Sequence, residues 1–282
     1  GASAVYIRAG GRTTVLRLNI SSGYYGMRVG GYDNLIVSNF INNSDISLFA
    51  GSPGNRLFNN IIDKSRDKGV FIQYAPDNFL ANNQILNSRG SAIYADLTQS
   101  QKVSLENNVV SNTNSSYYDL EIIPSVEDHY SFTQLTDNSI ASYNLNSTFT
   151  TFVNSGNSQI NFTQLLMNVN GSNLNNEVRL GFNYASVDSS NTELNKPAII
   201  TFDNLLNNVV NRTILLNGVI CPINVCMNIT SLDGSRVKFN VTGWSNYSLS
   251  AGVALNIPNN TSNNSSNNNT LNISSNISIN KP

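Results

Sequence analysis

Apolar and polar residues alternate in short runs through the first half of the chain, and the runs recur. Asn55-Arg56-Leu57-Phe58-Asn59-Asn60-Ile61-Ile62 and Asn78-Phe79-Leu80-Ala81-Asn82-Asn83-Gln84-Ile85 share the register N-x-L-x-N-N-x-I. Val103-x-Leu105-x-Asn107-Asn108-x-Val110 departs from it at the first position and in a conservative valine, and Asn34-x-Ile36-x-Ser38-Asn39-x-Ile41 is a looser copy. The anchors Asn39, Asn60, Asn83 and Asn108 are about 21, 23 and 25 residues apart, a solenoid period. Between the copies lie Met27-x-Val29, Ile46-x-Leu48, Val70-x-Ile72, Ile93-x-Ala95 and Leu120-x-Ile122. Period-two alternation in short runs predicts half-buried strands, and no stretch of this half sustains a helical period. Strands about every 10 residues, repeated at about 22, predict the coil of a parallel β-helix, in which equivalent residues stack about 4.8 Å apart. A column of asparagines at an inward turn can then link its amides from coil to coil. It would satisfy buried polar groups that otherwise cost about 1–3 kcal/mol each. Asn60, Asn83 and Asn108 are expected to form that column, in a structural role.

After Pro124 the register stops. Longer alternating segments follow: 130–135, 147–153, 158–166, 177–184, 198–205, 213–216, 226–229, 236–241 and 247–249, separated by Gly/Asn/Ser turns. This spacing predicts an antiparallel β-sandwich, with Asp233-Gly234 as a hairpin turn. The fold class expected is all-β: a parallel β-helix over 1–127, an Ig-like β-sandwich over 128–254, and a tail over 255–282. The tail has no aromatic residue and one charge, Lys281, so its composition predicts a disordered Asn/Ser-rich stalk or linker.

Composition narrows the class. Charged residues make up 12%, the formal net charge is −1 and the pI is about 5.8, so no basic surface for nucleic acid is expected. No apolar run is long enough to span a bilayer, and Gly1–Gly10 lacks the features of a leader. The chain therefore reads as a processed form or a segment, with any attachment made through flanking sequence. N-x-S/T sequons fall at Asn19, Asn42, Asn114, Asn146, Asn161, Asn170, Asn211, Asn228, Asn240 and Asn246. They then cluster from Asn259 onward, including Asn260, Asn264, Asn272 and Asn276, as candidate glycosylation sites. Cys221 and Cys226 are the only cysteines, and with one distant histidine they cannot build a four-ligand zinc site. A short-loop disulfide in an oxidising compartment is expected, with two buried thiols as the alternative. Sequons, the Cys pair and a polar stalk together point to an extracellular or cell-surface location.

The N-x-L-x-N-N-x-I coils resemble the right-handed parallel β-helix repeats of pectate-lyase-like and NosD-like proteins. The second half resembles a domain that follows such helices in archaeal surface-exposed proteins. That likeness rests on Leu194-Asn195-Lys196-Pro197-Ala198, Ile214-Leu215-Leu216-Asn217-Gly218, the CPINVC pair, and Phe239-Asn240-Val241-Thr242-Gly243-Trp244-Ser245-Asn246-Tyr247-Ser248. The resemblance implies fold and location and supplies no catalytic residues.

The sequence contains no G-x-G-x-x-G, P-loop, H-E-x-x-H or G-x-S-x-G motif, and none of the N-T-D, G-H-G or R-I-K signatures of polygalacturonase-like enzymes. His129 is the single histidine and is expected to be a hydrogen-bonding residue at a domain junction. With Ile46, Val70, Ile93 and Leu120 inward, Arg28, Ser47, Phe71, Tyr94 and Glu121 make one outward column, and Phe49, Gln73 and Asp96 the next. Aromatics beside Arg, Gln, Asp and Glu are what a sugar-binding face requires, and equally what a sheet-stabilising ladder would contain. Asp96 and Glu121 stand roughly 8 Å apart on strand geometry, within the span of inverting glycosidases. Asp63, Lys64, Arg66, Asp67, Lys68 and Arg89 read as a solvated charged turn. The expectation is a non-enzymatic surface or secreted protein, engaged in adhesion or glycan binding on the β-helix face. Its expected partners are glycans or other envelope components, with no cofactor and no metal. A polysaccharide hydrolase or lyase using Asp96 and Glu121, and a purely structural spacer, are the alternatives.

Overall fold

A computed structural model describes residues 2–8, 10–97, 101–124, 130–206 and 209–254. His129, the tail and its sequons (Asn260, Asn264, Asn272 and Asn276 among them) lie outside the described residues.

The first half winds into stacked coils with three sides. One side is sheet B, where Thr14–Leu16, Leu35–Val37, Arg56–Phe58, Asn78–Ala81 and Gln101–Glu106 pair in parallel. The other two sides belong to sheet A. The single strands Asn19–Val29 and Phe40–Ala50 cover both of them in the early coils. Later coils split them into Ile61–Asp63 with Lys68–Gln73, Gln84–Leu86 with Ile93–Asp96, and Val109–Ser111 with Leu120–Ile123. Ile41, Ile62 and Ile85, then Leu48, Val70, Ile93 and Leu120, then Ile36, Leu57, Leu80 and Leu105 fill the interior and are almost fully buried.

The corners explain the abundance of asparagine. Most corners take a residue with positive φ, which asparagine tolerates better than most L-residues. Ser38, Asn59, Asn82 and Asn107 supply it at one corner, with φ of 54°, 54°, 55° and 50°. Asn43, Lys64, Asn87 and Asn112 supply it at another, and Asp33, Gly54 and Asp77 at the third. The residue after the positive φ turns inward. Asn39, Asn60, Asn83 and Asn108 thus form the expected ladder, each Nδ2 donating to the next Oδ1 at 3.0, 2.9 and 2.9 Å. The same Oδ1 atoms accept the main-chain N–H of the residue one coil back, at 3.0–3.1 Å. Asn34, Asn55 and Asn78 form a second ladder at the third corner, with main-chain N–H to Oδ1 distances of 3.0 Å. Ser44, Ser65 and Ser88 occupy the equivalent buried place at the remaining corner.

Parallel pairing continues past residue 127. Ser131–Thr136 pairs in parallel with Gln101–Glu106, Thr148–Val153 with Ser131–Thr136, and Tyr143–Leu145 with Leu120–Ile123. Asn138 takes the next rung of the ladder, accepting from Asn108 Nδ2 at 2.9 Å. Segments 130–135 and 147–153, expected in the sandwich, are therefore coil strands. Their first two inward positions hold Ser131, Thr133, Thr148 and Thr150 in place of aliphatic residues, with Leu135 and Phe152 at the third, and Thr133 and Thr148 satisfy each other at 2.8 Å.

Antiparallel strands follow. Gln159–Phe162, Ala198–Phe202, Val237–Val241 and Cys226–Asn228 extend sheet B, so coil and antiparallel layer share one sheet. Sheet C, made of Val178–Gly181, Tyr184–Val187, Asn246–Leu249, Ile214–Leu216 and Val219–Ile220, is wholly antiparallel. The two layers meet where the Phe239 and Tyr247 rings lie 6.2 Å apart, and burial pushes the Tyr247 hydroxyl up to about 12. Trp244 joins two of the segments that carried the sequence resemblance. Its main-chain N–H donates to Asn195 Oδ1 at 2.8 Å and its indole N–H to the Lys196 carbonyl at 2.7 Å.

Cys221 and Cys226 are bonded to each other, closing a short loop between the edges of sheets B and C. Loop-closure entropy for so few residues gives a contribution of about 2 kcal/mol. Reduction, or the double change Cys221→Ser with Cys226→Ser, is expected to lower unfolding stability by that amount in a denaturant titration. An unchanged midpoint would show that the loop is held by its neighbours alone.

Candidate functional site

The long outer side of sheet A carries the aromatic column, with one correction to its register. Leu48, not Ile46, is level with Val70, while Ile46 is level with Lys68. Phe49 therefore joins Arg28, Phe71, Tyr94 and Glu121 as successive partners, and Ser47 leaves the column. Ser47 is buried and its hydroxyl lies 2.7 Å from that of Ser65. The displacement arises because the early strand Phe40–Ala50 runs through the corner that later coils spend on a separate turn.

The rings pack edge to face. Phe49–Phe71 and Phe71–Tyr94 have centroids 5.3 Å apart at interplanar angles of 70° and 71°, a geometry in which each pair contributes about 0.5–1.5 kcal/mol beyond burial. Arg28 closes one end, its guanidinium 5.3–5.5 Å from the Tyr6, Tyr25 and Phe49 ring centres. Lys68 stands over the other end, with Nζ 5.5 Å from Phe71 and 5.0 Å from Tyr94. Phe49 is only 8% exposed, so the Arg28 end of the column is closed, and access is left toward Tyr94 past the half-buried Phe71.

At that end a cleft of 240 Å³ is lined by Asp67, Lys68, Ser91, Tyr94, Tyr117, Tyr118 and Glu121. Lys68 is 3.0 Å from the Asp67 carboxylate, and Ser91 donates to Glu121 Oε2 at 2.6 Å. The Tyr94 hydroxyl is pushed up to about 12, chiefly by burial and then by the negative charges of Asp96, Glu121 and Asp67. It is therefore a neutral donor at all physiological pH values.

The register keeps Asp96 and Glu121 one strand and two residues apart, as expected, but only Glu121 lines the cleft. Glu121 opens to the cleft. Asp96 does not line it: the residue is 6% exposed and accepts from Gln73 Nε2 at 3.4 Å, while Oδ1 has no partner among the described residues. Gln73 and Asp96 are level with each other, as expected, but Phe49 is not in their column. Lys68, Tyr117 and Tyr118 are cleft residues that the sequence reading did not assign. Tyr117 and Tyr118 sit on the longer connection between Val109–Ser111 and Leu120–Ile123. The growth of the repeat from about 23 to 25 residues is the signal that marks this extra length, since insertions in a repeat map to loops.

Among the described sequons, Asn19, Asn114, Asn161, Asn170, Asn211, Asn228 and Asn246 are exposed, whereas Asn42, Asn146 and Asn240 are half-buried. No helix of the described residues is long and apolar enough to cross a membrane. A disulfide on a β-helix fold fits a secreted or surface protein.

Comparison with curated proteins and with solved structures found no match. The family model described as the right handed beta helix region matches residues 3–170, which span the stacked coils and the first antiparallel strands. The chain thus belongs to the right-handed β-helix family.

Proposed function

We propose that this protein is a non-enzymatic secreted or cell-surface protein whose β-helix face binds a glycan at the cleft beside Tyr94. The observation that carries this reading is the half-buried Tyr94 ring at the open end of the aromatic column. Around it stand a cation, two carboxylates and hydroxyl groups within one cleft. A ring face against the apolar side of a sugar, with polar groups at its hydroxyls, is how such sites hold ligands. At 240 Å³ the cleft is smaller than the roughly 300–1,000 Å³ of drug-sized sites and suits a single sugar ring of a chain.

The carboxylates support binding over hydrolysis. Asp67 is neutralised by Lys68, Glu121 is engaged by Ser91, and Asp96 is not among the cleft's lining residues. The one other carboxylate among the cleft's lining residues, Asp67, is ion-paired to Lys68 and so is poorly suited to work with Glu121 as an acid and base pair.

A glycan array followed by reducing-end assays on its hits tests this reading. Tyr94→Ala is expected to weaken binding by about tenfold or more, the loss of one stacked ring. Glu121→Gln and Asp96→Asn are expected to leave the products of incubation unchanged, because there is no turnover to lose. Turnover abolished by either change would establish the hydrolase reading instead. Neither binding nor turnover would make the column a packing device and the protein a spacer.

A further inference from the structure

We propose a second glycan site on sheet B, remote in character from the Tyr94 cleft and specific for an acidic sugar ring. It does not rest on the first reading. Phe132 and Phe149 are partners on adjacent coil strands, and Lys102 is the partner of Phe132 on the strand before. The two phenyl rings are stacked, with centroids 5.6 Å apart at 21°, unlike the edge-to-face rings of sheet A. Tyr130 braces both from the side, at 5.8 and 5.6 Å. Phe132 nonetheless remains 40% exposed. The rings form the wall of a 370 Å³ cleft whose floor is the column Gln134, Thr151 and Asn161, successive partners two residues farther along the strands.

The hydrogen-bonding of the floor sets the ligand class. Lys102 Nζ donates to Gln134 Oε1 at 3.3 Å, and Thr151 Oγ1 donates to Asn161 Oδ1 at 3.2 Å. Each amide oxygen thus already accepts one hydrogen bond. The one charged group of the lining is the Lys102 ammonium, and the Gln134 and Asn161 amide N–H groups stand beside it as further donors. Among the described residues no carboxylate lines the cleft. A ligand that complements it presents acceptors and negative charge along one edge and an apolar ring face to Phe132. A pyranose bearing a carboxylate or a sulfate has that character. The Tyr94 cleft, with Asp67 and Glu121 among its lining, has the opposite electrostatic bias.

Calorimetric titration of the full chain with three oligosaccharides tests this: a carboxylated alginate oligomer, a sulfated galactan oligomer and a neutral cello-oligomer. An acidic oligomer is expected to bind more tightly than the neutral one, and less tightly as salt is raised. Which acidic arm binds identifies the group. Phe132→Ala is expected to weaken that binding about tenfold. Lys102→Gln, an exposed change that leaves the coil intact, is expected to weaken it comparably and to remove the salt dependence. Tyr94→Ala should leave it unchanged, so failure here and failure of the sheet A reading are told apart. Neutral and acidic oligomers binding equally, no binding by either acidic oligomer, or affinity indifferent to Lys102→Gln would overturn the proposal.

Discussion

Asn83→Ala is expected to destabilise the protein by about 3–5 kcal/mol. Asn83 is 2% exposed and works in both directions along the ladder. Its Oδ1 accepts the Asn60 main-chain N–H at 3.0 Å and Asn60 Nδ2 at 2.9 Å. Its Nδ2 donates to Asn108 Oδ1 at 2.9 Å and to the Leu57 carbonyl at 2.8 Å. Alanine leaves the Asn60 N–H and the Leu57 carbonyl without these partners inside the coil, and each such orphan costs about 1–3 kcal/mol. The neighbouring change Asn82→Ala has a different cost, because Asn82 contributes a φ of 55° rather than a rung. Holding alanine in that region costs about 1–2 kcal/mol. Urea titration of the two variants checks the distinction. Equal losses, or a loss under 1 kcal/mol for Asn83→Ala, would mean that the ladder does not hold the coils.

The second large effect lies in the antiparallel region. Arg212 is 7% exposed, and its guanidinium donates to the carbonyls of Leu206, Gly234 and Leu232 at 2.6, 3.0 and 3.2 Å. One planar group thereby ties three loop carbonyls together, which the point charge of a lysine cannot reproduce. Arg212→Met keeps much of the volume and removes every donor, with an expected loss of about 3 kcal/mol or more. Hydrogen exchange gives the sharper check. Amides of Ile214–Leu216 and Val237–Val241 should exchange faster in the variant, while those of Lys68–Gln73 and Ile93–Asp96 keep their protection. Uniform acceleration across both regions would show that coil and antiparallel layer unfold as one unit.

The coil architecture was legible because one residue type answers two demands at one corner. In Asn59-Asn60, Asn82-Asn83 and Asn107-Asn108 the first asparagine takes the positive φ and the second the ladder. A doublet at fixed spacing is hard to miss. The other asparagine of the register, at Asn34, Asn55 and Asn78, was visible too, but its partner in the corner varies between Asp33, Gly54 and Asp77. Its role as a second ladder appears only with the register of the strands. The last coils were hidden for a chemical reason. Ser131, Thr133, Thr148 and Thr150 point inward, so apolar alternation fades although the winding continues. Asp137-Asn138 replaces the doublet at a spacing of 30 residues from Asn108.

The candidate site was legible in part. Phe71, Tyr94 and Glu121 fall in consecutive, well-matched coils, and their column follows from spacing alone. Phe49 was placed two residues out, because Phe40–Ala50 crosses a corner without the break that marks it in later coils. Asp96 had the right spacing from Glu121 to suggest an acid pair, and burial beside Gln73 is what separates it from the cleft. Exposure on an outward strand face is not written in alternation, since loops decide what they cover. Lys68 looked like one charge in a solvated turn, and only the stacking of coils brings its ammonium over the Tyr94 ring.

The claim that Tyr94 marks a glycan-binding cleft is tested most directly by a crystal structure of the protein soaked with the best array hit. The account predicts a sugar ring lying against Tyr94, with hydroxyls within hydrogen-bonding reach of Glu121 and Lys68. A bound glycan that makes no contact with Tyr94, or an empty cleft in crystals soaked far above the solution affinity, would contradict it.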